Sequence, residues 1–369
     1  MSDLYIGLMS GTSLDGVDGV VADFSGPRMV VTHHASAAFE PALRAELLAL
    51  NTPGDNELHR AALAGNALSR AYAGVVDELL QRSGLTPNDI HAIGAHGQTV
   101  RHRPQEFDGT GYTLQLGNPA LLAERTGIAV VADLRSRDVA AGGQGAPLVP
   151  AFHQGIFGRP DETVLVLNIG GISNISVLGA DGQVIGFDCG PGNALMDHWC
   201  QRHTGQAFDH GGAWAATGQV LPDLLAALKQ EPFLQKAPPK STGRDLFNPT
   251  WLATRLENFA QAKPVDVQAT LTEFTASACC DCASSYQTNS KTLAVCGGGA
   301  LNTHLMARLQ IGCPYLQVVS TDQLGLPALQ VEAAAFAWLA RQMLNSGPGN
   351  LPSVTGAAGP RVLGAVYPA

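Results

Sequence analysis

Charge is what this sequence has least of. Only 14% of its 369 residues are Asp, Glu, Lys or Arg, against about a quarter in ordinary soluble domains. The 22 basic residues are outnumbered by 31 acidic ones, giving a net charge of −9. No basic stripe gathers anywhere, so no nucleic-acid partner is expected. No apolar run approaches the roughly 20 residues that cross a bilayer, and no membrane partner is expected either. The opening Met1-Ser2-Asp3-Leu4-Tyr5-Ile6 shows neither the basic nor the apolar region of a signal peptide. Seven cysteines, an odd number without framework spacing, fit reduced thiols, and a cytoplasmic location is expected.

Familiar site motifs are missing as well. There is no G-x-x-x-x-G-K-[ST], which excludes a P-loop enzyme, and no H-E-x-x-H. Gly190-Pro191-Gly192 and Gly143-Gln144-Gly145 each lack the third glycine of a dinucleotide fingerprint. Cys279-Cys280-Asp281-Cys282 lacks zinc-site spacing and reads as helix core.

Apolar residues and glycine are what is present. At 45% apolar, the chain is too hydrophobic to be disordered. Its length exceeds what one hydrophobic core usually covers, so two domains are expected. Glycine contributes 42 residues, well above average usage and without the G-X-Y period of collagen. Leu4–Met9 reads as a buried strand that runs into Ser10–Asp18, with Val20–Phe24 returning. Helices are expected over Pro41–Leu50 and Glu57–Arg82, and short strands over Ala92–Ala95, Thr113–Leu116 and Ile128–Ala132. Arg135–Pro150, polar and then rich in Gly and Ala, marks the expected domain change and hinge, between domains 1–135 and 136–369. The C-terminal tail is left able to pack back on the first. After the change the grammar restarts with strand Thr163–Asn168, turn Gly170-Gly171 and strand Ile172–Leu178. Strand Val184–Phe187 follows, then a helix from Ala194, and later a strand into Cys296–Asn302 and a long helix over Ala328–Leu344. The fold class is therefore α/β, with two similar domains, each a mixed β-sheet flanked by helices, and a ligand cleft expected between them.

Three glycine turns stand out. Ser10–Asp18 offers hydroxyls, two carboxylates and backbone N–H groups that suit an oxyanion or phosphate, or it is an ordinary hairpin turn. Gly170-Gly171-Ile172-Ser173-Asn174 repeats the theme. Gly297-Gly298-Gly299 lies between a strand and a helix, where backbone can approach something flat or the loop is simply flexible.

The stretch Gly7-Leu8-Met9-Ser10-Gly11-Thr12-Ser13-Leu14-Asp15-Gly16-Val17-Asp18 closely resembles the N-terminal signature of anhydro-N-acetylmuramic acid kinases. The resemblance continues in order through Ala95–Thr99, Gln115–Pro119, Ala132–Pro150, Asn168–Asn174, Gly186–Asp197, Lys240–Gly243, Cys296–Asn302 and Val331–Leu339. It implies the sugar kinase, heat-shock ATPase and actin superfold, with an ATP cleft between the domains. It also implies ATP and Mg2+ as cofactors, and a reaction that converts 1,6-anhydro-N-acetylmuramic acid and water into N-acetylmuramic acid 6-phosphate in peptidoglycan recycling. A homodimer is compatible with it.

The resemblance assigns ATP to Gly11, Thr12, Ser13, Leu14, Asp15, Gly16, Val17 and Asp18, to Gly170 and Gly171, and to Gly297, Gly298, Gly299 and Asn302. Asp188 is the expected catalytic base, because opening a sugar acetal needs a carboxylate to activate water. As a lone Asp before a Gly-Pro turn it also reads as an Asx-type cap. His96, Gln98, Arg137, Asp188 and Glu332 are the expected sugar contacts, with Arg137 suited to the lactyl carboxylate. Taken without the resemblance, His96 also reads as a core histidine, Arg137 as a surface arginine and Glu332 as a solvated helix position. Asp15 and Asp18 are left between magnesium and sugar. Two other functions stay open on the residues: an actin-like or chaperone-like ATPase, and a glycosidase using Asp188 with Glu332.

Overall fold

The computed structural model describes residues 2–11, 13–238, 240–243, 246–286 and 290–369. The chain forms two compact units, one of residues 1–156 with 330–369 and the other of residues 157–329.

The first unit is built on β1 (Leu4–Met9), β2 (Gly16–Asp23), β3 (Val30–Ala38), β4 (Ala92–Ala95), the separate hairpin of β5 (Gln98–Pro104) with β6 (Gly111–Leu116), and β7 (Val130–Ala132). Its main sheet runs β13-β7-β4-β1-β2-β3, where β13 is Ala365–Tyr367 from the C-terminal tail. β1, nearly all apolar and buried, lies inside the sheet, antiparallel to β2 and parallel to β4. Helix Glu57–Ser83 buries Ala64, Leu68, Tyr72, Val75, Val76 and Leu79, a spacing that draws one apolar stripe along a helix. Gly84, with φ of +70°, ends it in a left-handed cap.

Helix Val331–Leu344 packs against the same sheet through two glycines. Gly7 and Gly94 are paired across β1 and β4. A Cβ on Gly7 would lie 1.8 Å from the Ala333 oxygen, and one on Gly94 would lie 2.0 Å from the Phe336 oxygen. The glycines thus make a smooth bed for the helix backbone. That docking brings Glu332, in the first turn of the helix, to the first unit.

The second unit repeats the plan with β8 (Thr163–Ile169), β9 (Ile172–Leu178), β10 (Val184–Pro191), β11 (Ser290–Cys296) and β12 (Gln317–Ser320), ordered β10-β9-β8-β11-β12. In both units the first strand pairs antiparallel with a hairpin partner and parallel with a later strand. Its core includes Leu165, Leu167, Phe187, Phe274, Leu293 and Leu305.

The domain boundary expected at 135/136 is corrected by this division. The segment 136–156 and the final helix with its tail belong to the first unit. The helix Ser136–Ala140 and the start of the helix Val149–Phe157 lie in what reads in sequence as a linker. The expected hinge within Arg135–Pro150 is also corrected, because the loop Gly142–Gly145 in it is tied down within the first unit. Asp138, fully buried, accepts from the Gly145 amide at 2.7 Å, Asn350 Nδ2 at 2.6 Å and Thr355 Oγ1 at 2.7 Å. The Gln144 amide donates to the Thr355 carbonyl at 2.7 Å, and Gln105 Nε2 to the Gly142 carbonyl at 2.8 Å. Among the described residues no helix is long and apolar enough to cross a membrane.

Candidate functional site

In the first unit the candidate residues gather around the β1–β2 turn. Thr12 lies outside the described residues. Ser10 is buried at the end of β1; its hydroxyl donates to the Gly97 carbonyl at 3.0 Å and lies 2.9 Å from the Tyr72 hydroxyl. Leu14 adopts φ of +58°, a strained conformation for a branched side chain. Its carbonyl accepts from Arg44 Nε at 3.1 Å, and its side chain is in the core, as is Val17. Gly16 and Val17 already lie in β2. A Cβ on Gly16 would meet the Ala37 oxygen at 2.2 Å, so this glycine permits the close approach of β3. Leu14, Gly16 and Val17 therefore shape the turn, while Gly11, Ser13 and exposed Asp15 lie at its accessible edge. Asp18, on β2, lies 3.4 Å from His34 Nε2.

His96 is buried with both ring nitrogens in use. Nδ1–H donates to the Ser10 carbonyl, 3.1 Å away. Nε2 accepts from Arg135 Nε at 3.2 Å and Nη2 at 3.0 Å. Burial, with the adjacent guanidinium, pushes the imidazole down to about 3, so the ring is neutral with its proton on Nδ1. Arg135 spends a third donor on the Gly145 carbonyl at 2.8 Å. Its own pKa is lowered by burial to about 10, against the field of Glu332 and Asp138. Gln98 is buried; Nε2 donates to the Gly11 carbonyl at 3.1 Å, and Oε1 has no partner among the described residues. Arg137 is exposed on the helix Ser136–Ala140.

In the second unit the β8–β9 turn is zipped to the end of β10. The carbonyls of Gly170 and Gly171 accept from the amides of Asn193 at 2.7 Å and Gly192 at 2.9 Å. Gly297, with φ of +77°, lies so close to β8 that a Cβ would stand 2.5 Å from Asn168 Oδ1 and 2.7 Å from the Ile169 oxygen. Gly298 is exposed, Gly299 is buried against Ile169, and Asn302 caps the helix Thr303–Gly312 by accepting from the Leu305 amide at 2.9 Å.

Asp188 sits at a β-bulge where the β9–β10 register shifts between Asp188 and Gly190, and a bulge re-aims a side chain. Its Oδ2 accepts from Ser241 Oγ at 2.9 Å and the Thr242 amide at 2.8 Å. Its own amide donates to the Lys240 carbonyl at 3.1 Å. Burial raises the carboxyl above the usual carboxylate value, against the lowering by Thr242, Ser241 and Lys240. A carboxylate with raised pKa and one oxygen uncommitted among the described residues suits general-base work near neutral pH.

Sequence reasoning missed Arg135, Asp138, Ser241 and Thr242. Arg135 stands two residues from Arg137 in the same polar stretch, and no spacing rule separates the one that becomes buried. Ser241 and Thr242 lie in a segment that resembles the kinases, but nothing local joins them to a carboxylate more than fifty residues earlier.

A family model described as anhydro-N-acetylmuramic acid kinase matches residues 3–369. A relative of that name from Variovorax paradoxus is 66% identical, with 100% of this chain and 99% of that protein covered. One from Albidiferax ferrireducens is 63% identical, with 100% of both covered. A third, from Cupriavidus metallidurans, is 56% identical, with 100% of this chain and 98% of that protein covered.

Proposed function

The chain belongs to the anhydro-N-acetylmuramic acid kinase family, and from that premise we propose how its residues share the reaction. The enzyme is an ATP-dependent kinase of cell-wall recycling and amino sugar catabolism. It opens 1,6-anhydro-N-acetylmuramic acid with water and phosphorylates the freed 6-oxygen, giving N-acetylmuramic acid 6-phosphate and ADP. The match along residues 3–369 carries this conclusion.

Asp188 is the general base in our reading. It takes a proton from the water that attacks the anomeric carbon, the bond from that carbon to the bridging oxygen breaks, and the 6-oxygen released takes the γ-phosphoryl group. Its raised pKa and its uncommitted oxygen support the role. Gln98 Oε1, a buried acceptor without a partner among the described residues, is suited to a sugar hydroxyl. Glu332 is a second acceptor for the sugar, its charge balanced by Arg135. Arg135 spends its donors inside the protein, which leaves exposed Arg137 for the lactyl carboxylate. His96, neutral and doubly bonded, holds Arg135 and the Ser10 carbonyl in place and is not itself an acid or base.

The turns at Gly11–Asp15, Gly170-Gly171 and Gly297–Gly299 are the proposed ATP contacts, carried over from the family resemblance, and Gly298 is exposed in the third of them. Magnesium, when bound, supplies charge neutralisation on the phosphates. Such a hard cation keeps several waters and needs only one or two carboxylates. Asp15, exposed at the turn, fits that demand better than Asp18, which is engaged with His34. Use of ATP supports a cytoplasmic site of action, and a homodimer is carried over from the family resemblance.

The test is Asp188→Asn, which keeps the shape and removes the base. Turnover is expected to fall by at least about a thousandfold, with ATP and anhydro-sugar binding by calorimetry nearly unchanged. A near-normal rate in this variant removes Asp188 from the role.

A further inference from the structure

We propose that Ser241 is a positioning residue for Asp188: with the Thr242 amide it holds Oδ2, so that Oδ1 alone faces the attacking water. The inference rests on the assignment of Asp188 as base and deepens it.

The argument starts from the bulge. Asp188 pairs with Asn174 at the very edge of the slip between β10 and β9, and the next residue, Cys189, has no partner in the ladder. At that edge the segment Lys240–Thr242 adds three hydrogen bonds to the one residue. The Asp188 amide donates to the Lys240 carbonyl at 3.1 Å, and Oδ2 receives the Ser241 hydroxyl at 2.9 Å and the Thr242 amide at 2.8 Å. The segment is itself anchored. Lys240 Nζ donates to the Leu234 carbonyl at 3.1 Å and lies 5.0 Å from the centre of the Phe233 ring, which is buried. Backbone and carboxylate of Asp188 are thus gripped by one strap pinned to an apolar platform.

A base that presents one defined oxygen loses less to misorientation than a carboxylate free to rotate. Hydrogen bonds to the ionised form also keep Asp188 usable as a base despite its burial, since they favour the charged state that burial disfavours. Among the described residues the charged group that acts on it is Lys240, whose field works in the same direction, and the thiol of Cys189 follows it in the chain. Ser241 is exposed, so its hydroxyl contributes little to folding, and its removal leaves a soluble, folded protein for assay.

The experiment measures the pH dependence of kcat and kcat/KM for wild type, Ser241→Ala and Ser241→Thr, with Asp188→Asn as the control. Ser241→Ala removes a donor to the ionised carboxylate, so the acid limb is expected to move to higher pH and kcat to fall about tenfold. Ser241→Thr keeps the hydroxyl and is expected to restore both. An inactive Asp188→Asn together with an unmoved limb in Ser241→Ala overturns the clamp and leaves the base assignment standing, whether or not kcat falls. An active Asp188→Asn overturns the base assignment and the clamp with it.

Discussion

His96 shows how far a residue's type is from its role. Its place after an apolar strand fits a cleft-edge ligand as well as a core histidine, and only the arrival of Arg135 from thirty-nine positions later decides between them. Burial, with the same partner, makes the histidine neutral, and that has a consequence for stability. His96 and His153 are both buried, with pKa values lowered from 6.5 to about 3, chiefly by burial. In the unfolded chain each takes a proton near 6.5, whereas the folded form resists it down to about 3. Their stabilising contribution is therefore complete above pH 6.5 and is lost as pH falls through that window. Two such groups give a slope of up to about 3 kcal/mol per pH unit. Thermal melts between pH 7 and pH 4.5 are expected to show a steep fall in Tm that Asp/Glu titration alone does not begin until lower pH. A flat Tm down to pH 5 contradicts the burial assigned to these rings. Asp188 was legible as a candidate from its place before the Cys-Gly-Pro-Gly turn together with the family resemblance, while its partners Ser241 and Thr242 were not, because tertiary contact alone brings them there.

At the scale of elements, periodicity and turn chemistry carried most of the reading. β1, β4 and β9 begin and end where the apolar runs predict, and helix Glu57–Ser83 extends the expected segment by one residue. β5, Gln98–Pro104, escaped notice because Arg101, His102 and Arg103 give it no apolar alternation; it lies in a two-stranded hairpin away from the core sheet. The helix Ser136–Ala140 escaped because the glycine-rich stretch it opens reads as linker, while here Asp138 supplies the buried acceptor that orders it. The seat of helix Val331–Leu344 was equally invisible, since Gly7 sits inside a strand where glycine is usually a weakness. Gly7→Ala tests that seat. A methyl group 1.8 Å from the Ala333 oxygen has to push the helix off the sheet. The expected cost is about 3 kcal/mol or more, or a fall in Tm of roughly 6 °C or more. A Tm within a degree of wild type contradicts the contact.

For the molecule as a whole, the two-part α/β organisation could be read from a strand–glycine turn–strand unit that occurs twice, and both units do share one strand order. The division point could not. Composition places the change at the glycine-rich stretch, but the chain returns to its first unit at residue 330, and no local signal marks a segment that completes a sheet laid down more than two hundred residues earlier. Fold by itself leaves an ATP-driven switch and a sugar kinase equally possible, and it is the family match that decides for the kinase. The central claim is that ATP is consumed only in the course of opening and phosphorylating the anhydro-sugar. Its most direct test is ADP formation by the purified full-length protein with ATP and magnesium, measured with and without 1,6-anhydro-N-acetylmuramic acid. ADP is expected to accumulate only when the sugar is present, one equivalent for each N-acetylmuramic acid 6-phosphate formed; release of ADP at the same rate without the sugar would contradict the account.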